Sequence, residues 1–148
     1  MPVITIREEQ KTDTGFEASL RFEGSEYLVT ITDPFTPKEE KQLEWYFEGW
    51  LRFPFSNTAI AERTAASVKS YGERLFEQVF KVNFDAYSEY RQLRGNLSQL
   101  QIEIIGRNPE FHAFHWEAMR DPDLPRPLTV DCLMVRRSVK PTSAGWQK

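Results

Sequence analysis

The sequence contains few residues of three chemically informative kinds. Its 148 residues include one cysteine, two histidines and seven glycines. A single cysteine, Cys132, excludes an internal disulfide and gives no sign of a secreted disulfide scaffold. No apolar run approaches the ~18 residues that a membrane span requires, and no basic-then-apolar leader follows Met1. These absences predict a cytoplasmic protein with no membrane association.

Excess positive charge and the common catalytic motifs are missing as well. The formal net charge is −3, which gives no support to nucleic-acid binding. Arg136, Arg137 and Lys140 cluster at a strand end, a pattern typical of a solvated edge. The sequence contains no Gly-rich phosphate loop, no Gly-x-Ser-x-Gly elbow and no Cys-x-x-Cys pair. It therefore holds no complete catalytic set and implies no cofactor.

Large aromatic side chains, in contrast, are abundant. Eleven Phe, five Tyr and four Trp make up 14% of the chain, which predicts a core built from large rings. The length suits one domain. We assign that domain to residues 1–139, and residues 140–148 to a tail or linker.

Residues 1–33 have the pattern of an antiparallel β-meander. Residues 3–7 form a short apolar and β-branched run, and residues 16–22 alternate strictly between apolar and polar. A turn at residues 23–26 contains Gly24, after which alternation resumes from Tyr27. The pattern predicts a hairpin with the N-terminal strand alongside it.

Residues 36–94 have helical patterns. Thr36, Pro37 and Glu39 form a capping box at the start of a first helix. A second helix is predicted over residues 64–80, where Gly72 would let another element pack closely. Asn83 or Asp85 begins a third, short helix that ends near residue 93. The apolar stripe of the first helix comprises Leu43, Tyr46, Phe47, Trp50 and Leu51, and residues 53–55 close that helix.

Residues 99–137 have a strand, connection, strand pattern. Residues 100–105 alternate, whereas residues 128–135 are apolar on both faces, as in a strand that is covered on two sides. A connection of this length usually joins parallel strands. The sequence therefore predicts an α/β fold, or α+β if the meander dominates.

The candidate chemical groups lie in that connection. His112, His115 and Glu117 have a spacing that could bind a metal ion, but their aromatic neighbours favour a structural role. Cys132 lies in an apolar run, so we interpret it as a core residue rather than a nucleophile. Glu117 and Asp121 could act as a carboxylate pair, although turn formation and salt bridging are the favoured interpretation.

A helix motif, a strand, an elbow and a second strand, in this order, resemble the opening of the CHAT family, the caspase-like peptidases associated with tetratricopeptide repeats. The helix motif is Tyr71-Gly72-Glu73-Arg74-Leu75-Phe76-Glu77-Gln78-Val79-Phe80. The strand at residues 100–105 is similar to the first core strand of the family. The segment Phe114-His115-Trp116-Glu117-Ala118-Met119-Arg120-Asp121-Pro122 resembles its Leu-Pro-Trp-Glu-x-Leu-x-Asp-Pro elbow, and residues 128–136 resemble the strand that ends in Val-Arg.

The resemblance covers about residues 36–137 and implies a scaffold rather than a catalyst. His115 and Met119 replace the usual proline and leucine of the elbow. Trp116, Glu117, Asp121 and Pro122 match its structural positions. The family's catalytic histidine and cysteine lie beyond this part of the domain, so no catalytic residue is assigned. The fold implied is the start of a caspase-like sheet.

Two functional hypotheses follow. In the first, the chain is the non-catalytic N-terminal portion of a caspase-like cysteine peptidase, and it provides sheet scaffold and an assembly or substrate-facing surface. Its partner would be the rest of the peptidase domain or another protein, and an open strand edge near residues 128–135 could support a homodimer. In the second, the chain is a free-standing protein–protein interaction module with no link to proteolysis.

Overall fold

The computed structural model describes residues 2–41, 44 and 58–139, and these residues form one mixed sheet with helices. The strands are β1 (Val3–Lys11), β2 (Gly15–Phe22), β3 (Ser25–Thr32), β4 (Gln101–Gly106) and β5 (Leu133–Ser138). The helices are α1 (Thr58–Phe76), α2 (Phe84–Arg94), α3 (Pro109–His112) and α4 (Leu128–Asp131). A π-helical turn (Glu77–Lys81) follows α1, and short 3₁₀ turns span Leu97–Gln99 and Trp116–Ala118.

The sheet is antiparallel at one end and parallel at the other. Its strand order is β3-β2-β1-β4-β5. β1 and β2 pair antiparallel, as do β2 and β3, whereas β4 runs parallel to both β1 and β5. The predicted α/β class, the N-terminal meander and the two parallel strands are confirmed. The sequence patterns did not predict that β1 would join the meander and the parallel strands into one sheet.

Alternation along the strands places apolar side chains on one face, which we call the inner face. Ile6 pairs with Leu20 on one side and with Ile104 on the other, and all three are fully buried. The helical layer contributes large rings to the same core, with Tyr71, Phe76, Phe80 and Tyr90 at 1% exposure or less. Burial of each such side chain stabilises the fold by about 1.5–3 kcal/mol. The aromatic content of the sequence is therefore concentrated where the helices meet the sheet.

Local signals locate several of these elements. Gly24 has a φ of 91° in the β2–β3 turn, a conformation that glycine adopts without steric cost. The capping box is present, since the Glu39 amide donates to Thr36 Oγ1 over 3.2 Å and the Thr36 amide donates to Glu39 Oε1 over 3.1 Å. These contacts hold the pKa of Glu39 below its usual value. The side chain of Asn83 caps α2, as predicted.

Two predicted elements have different boundaries. The helix expected over residues 64–80 begins earlier, at Thr58, and its last turn is π-helical. The strand predicted over residues 128–135 is wrong in its first half. Pro127 precedes one helical turn, in which the Cys132 amide donates a hydrogen bond to the Leu128 carbonyl over 2.9 Å. Strand β5 therefore begins only at Leu133. Because β5 is largely exposed, the expectation that it is covered on two sides is also wrong.

Some predictions fall outside the described residues. The apolar stripe of the first helix from Leu43 to Leu51, its end at residues 53–55, and the tail at residues 140–148 all lie there. The assignment of residues 1–139 to one domain stays a prediction. None of the helices in the described ranges has the length and apolar character to cross a bilayer.

Candidate functional site: the elbow between the parallel strands

Residues 111–122, which we call the elbow, follow β4 and are built around the indole of Trp116. Trp116 is fully buried, and its Nε1 donates to the Phe111 carbonyl over 2.9 Å. The rings of Phe111 and Phe114 lie 5.2 and 5.7 Å from the Trp116 ring. Phe16 of β2 contacts both phenylalanines edge-on, at 5.3 and 5.8 Å. The aromatic cluster therefore anchors the elbow to the sheet.

The elbow packs directly against α1 at Gly72. A Cβ atom at this position would lie only 1.8 Å from the Ala118 carbonyl oxygen. The Arg120 amide donates to the Gly72 carbonyl over 3.0 Å, and the His115 amide donates to the Tyr71 hydroxyl over 2.9 Å. The prediction that Gly72 permits a close approach is confirmed. The partner in that contact is the elbow.

Asp121 is a fully buried carboxylate at the end of the elbow. Its Oδ2 accepts from the Tyr90 hydroxyl at 2.7 Å and from Arg94 at 3.1 Å. Its Oδ1 accepts from the Asp123 amide across Pro122 at 2.9 Å. Burial and the bond to Asp121 raise the pKa of Tyr90, and the bond to Asp121 raises the pKa of Arg94. The Asp121 carboxylate thus connects the elbow to α2, and both of its oxygens accept hydrogen bonds within the protein.

Arg136 of β5 holds the elbow from the opposite side. It donates to the carbonyls of His112 at 2.5 Å and Phe114 at 3.4 Å, and it forms an ion pair with Glu117. The ladder pairs Arg136 with the buried Ile104, so the guanidinium extends from the inner face toward the elbow. The sequence pattern predicted a solvated edge here and missed this role. The available signal for this role was a basic residue at a position where the two-residue period of the strand places a buried side chain.

The three candidate metal ligands have three different partners. His112 Nε2 lies 2.8 Å from the Gly106 carbonyl, His115 Nε2 lies 2.5 Å from Glu40 Oε1, and Glu117 pairs with Arg136. Within the described ranges, no three His, Cys, Asp or Glu side chains converge on a point where a metal ion could bind. All three side chains lie in the elbow, but each of them contacts a different partner.

The carboxylates of Glu117 and Asp121 also have separate environments. Glu117 is 61% exposed at its side chain and lies against Arg136, whereas Asp121 is buried between Tyr90 and Arg94. Paired acid–base catalysis requires two carboxylates that act on one substrate. In this arrangement each carboxylate has its own cation and holds a different side of the elbow.

Cys132 lies between α4 and β5 with 8% of its surface exposed. Burial, with a smaller effect from Asp131, raises the pKa of its thiol to about 11. A nucleophilic cysteine requires the opposite shift, toward a stable thiolate. The side chain has the environment of a small core residue.

This environment predicts slow chemical modification of Cys132. At pH 8 a thiol with a pKa of about 11 carries about a hundredfold less thiolate than one with a pKa of 9. We expect Ellman's reagent to react with the native protein at least that much more slowly than with the urea-unfolded protein. Equal rates in the two states would contradict the buried placement.

A shallow cleft of about 400 Å³ lies beside the elbow. Its lining comprises Lys11, Thr12, Asp13, Thr14, Gly15, Phe16, Asp33, Glu110, Ala113 and Phe114. Lys11 is paired with Glu110 at 2.9 Å. The cleft is thus lined by two aromatic rings and by three acidic side chains to one lysine.

Comparisons with known proteins do not assign the chain to a family. No family model matches it, and no curated protein and no solved structure matches it. The resemblance to the CHAT family therefore rests on the residues themselves.

Proposed function

We propose that this chain forms the non-catalytic opening part of a caspase-like peptidase domain. In this proposal it supplies sheet scaffold and a surface for assembly or substrate contact. The observation that carries the proposal is the position of β5, a parallel strand that ends the described sheet after only three parallel strands. Parallel strands are ordinarily covered on both faces, and an edge strand has unpaired backbone groups that can accept a further strand.

The backbone of β5 has hydrogen-bonding groups on the side away from β4. The Leu133 amide donates to the Leu100 carbonyl at 3.3 Å and the Val139 amide donates to the Gly106 carbonyl at 2.9 Å. Because alternate residues of a strand face opposite sides, the amides of Met134, Arg136 and Ser138 point away from β4. These three donors could pair with a further strand of the same domain or with the edge of a second copy.

The outer face of the parallel strands supports the same proposal. Val3, Gln101 and Leu133 lie side by side in register, and Val3 and Leu133 are 39% and 54% exposed. Apolar side chains on the face of a parallel sheet are normally buried by a second layer of helices. A remaining part of the domain would provide that layer.

Contacts between the resembling segments add further support. The helix motif and the elbow are separated by about thirty residues, and they meet where Gly72 lies against Ala118 and accepts a hydrogen bond from the Arg120 amide. The strand at residues 100–105 leads directly into that elbow as β4. These three segments therefore belong to one packed unit.

The test is to express the chain together with the residues that follow Lys148 in its natural reading frame. We expect that frame to encode a His-Gly motif and a cysteine-containing strand, and we expect peptidase activity that depends on those two residues. Cys132→Ala should leave that activity intact, because Cys132 is a core side chain. A frame that ends at Lys148 with no such partner encoded nearby would contradict the proposal.

The second candidate is a free-standing interaction module with no link to proteolysis. The observation that favours it is the polar outer face of the antiparallel strands, where Arg21 and Glu26, both about half exposed, pair at 2.6 Å. Such a face suits an antiparallel sheet with one solvated side. If this candidate holds, β5 would be protected within the isolated chain.

A further inference from the structure

The opposite edge of the sheet, at β3, has an unusual side-chain contact. Gln78 lies in the π-helical turn after α1. Its side-chain amide binds both the backbone N–H and the backbone carbonyl of Thr32. The Thr32 amide donates to Gln78 Oε1 at 2.7 Å, and Gln78 Nε2 donates to the Thr32 carbonyl at 2.9 Å. The Thr32 hydroxyl adds a third bond to Oε1 at 3.0 Å. A neighbouring strand would form the same pair of backbone bonds.

The strand that Gln78 contacts has the composition of a self-associating segment. Residues 27–32 read Tyr-Leu-Val-Thr-Ile-Thr, with no charge, no proline and no glycine. Short segments of this kind, with high β-propensity and no charge, form intermolecular sheets when an edge is accessible. β3 pairs only with β2, so it is an edge strand of the described sheet.

The outward backbone groups of β3 follow from the Thr32 contact. Since Thr32 faces away from β2, the period of two places the amides of Leu28 and Thr30 on the same outer side. Leu28 is 64% exposed. At the start of the strand Glu26 carries a charge, and at its end Gln78 occupies the backbone. Charges and side-chain cover are two ways in which proteins prevent pairing at an edge strand.

We propose that Gln78 blocks the β3 edge by taking the place of a strand residue, and that the occupant it excludes is β3 of a second copy of this chain. The uncharged stretch of β3 can pair antiparallel with itself about a twofold axis. While the Gln78 side-chain amide is bound to Thr32, the backbone groups at the end of β3 are not available to a second copy. The π-helical turn thereby has a role besides packing Val79 and Phe80 into the core.

The test uses Gln78→Met, which keeps the length of the side chain and removes its hydrogen bonds. We expect the Thr32 amide to exchange about tenfold faster by NMR. Sedimentation velocity over a concentration series should show more self-association than in the wild-type protein. Val79→Ala is the matched control, because it removes buried atoms from the adjacent residue and leaves the Thr32 contact in place.

A rescue variant separates edge blocking from general loss of stability. Thr30→Lys in the Gln78→Met background places a charge on the exposed face of β3 and should return self-association to the wild-type level. If Gln78→Met does not fold, Gln78→Asn replaces it, since the shorter amide cannot span both Thr32 groups. Unchanged association in the variant, or equal association in Val79→Ala at matched stability, would overturn the proposal.

Discussion

Replacing Gly72 with alanine is expected to destabilise the protein by about 2–4 kcal/mol, although alanine is the better helix former. In an exposed helix the substitution would gain about 1 kcal/mol. Here the added Cβ would lie 1.8 Å from the Ala118 carbonyl oxygen, which is backbone and cannot rotate away. The elbow must therefore shift, with the cost of overpacking and of a weakened Arg120 hydrogen bond.

Gly95→Ala is the matched control for this prediction. Gly95 caps α2 with an ordinary right-handed helical φ of −65°, and a Cβ there would meet no atom within 4 Å. We expect a change of less than about 0.5 kcal/mol in the free energy of unfolding measured with urea. If Gly72→Ala were as stable as Gly95→Ala, the close contact between α1 and the elbow would be wrong.

Removing the buried carboxylate of Asp121 is expected to have a similarly large effect. Asp121→Ala leaves the Tyr90 hydroxyl without its buried acceptor and Arg94 without its buried partner. Arg94 is 22% exposed at its side chain and keeps Asp123 as a partner, so the main cost is the buried Tyr90 hydroxyl left without an acceptor, about 1–3 kcal/mol. Urea unfolding of the variant and of the wild-type protein would measure this loss.

Asp123 provides an internal control for that prediction. It contacts the same Arg94 nitrogen at the same distance of 3.1 Å, but its side chain is 63% exposed. Exposed pairs contribute about 0–1 kcal/mol, so Asp123→Ala should be nearly neutral. If both variants lost the same free energy of unfolding, the burial of Asp121 would not be what makes its interaction with Arg94 and Tyr90 strong.

The parts of the fold that the sequence predicts well are those determined by neighbouring residues. Alternation at residues 16–22 and the turn at Gly24 predict the hairpin, because both depend on a few adjacent positions. The Asn83 cap and the Thr36 capping box are local in the same sense. Even Gly72 gave a correct expectation, since a glycine inside a helical pattern indicates a close neighbour.

The parts that were missed depend on contacts between distant positions. The pairing of β1 with β4 joins residues almost a hundred positions apart, and no local pattern reports it. Arg94 and Asp121 are 27 positions apart, and Arg136 reaches back 22 positions to the Phe114 carbonyl. Residues 128–131 were predicted as strand because they are apolar and partly β-branched, whereas Pro127 and the Cys132 hydrogen bond favour a helical turn.

The two edges of the described sheet differ in how their outward backbone groups are engaged. At β3 the Gln78 amide binds the last backbone groups of the strand, and at β5 the outward amides point away from β4. We therefore propose that strand addition takes place at the parallel end of the described sheet. This asymmetry is what a domain that continues beyond β5 would need.

Hydrogen exchange of β5 in the isolated chain is the most direct test of this account. If β5 is an open edge, the amides of Met134, Arg136 and Ser138 exchange freely, while those of Leu133, Val135 and Arg137 are protected by β4. In the chain joined to the following residues of its reading frame, all six should be protected. Equal protection of both sets in the isolated chain would show that β5 is not an open edge, because it would then already have a partner on its outer side.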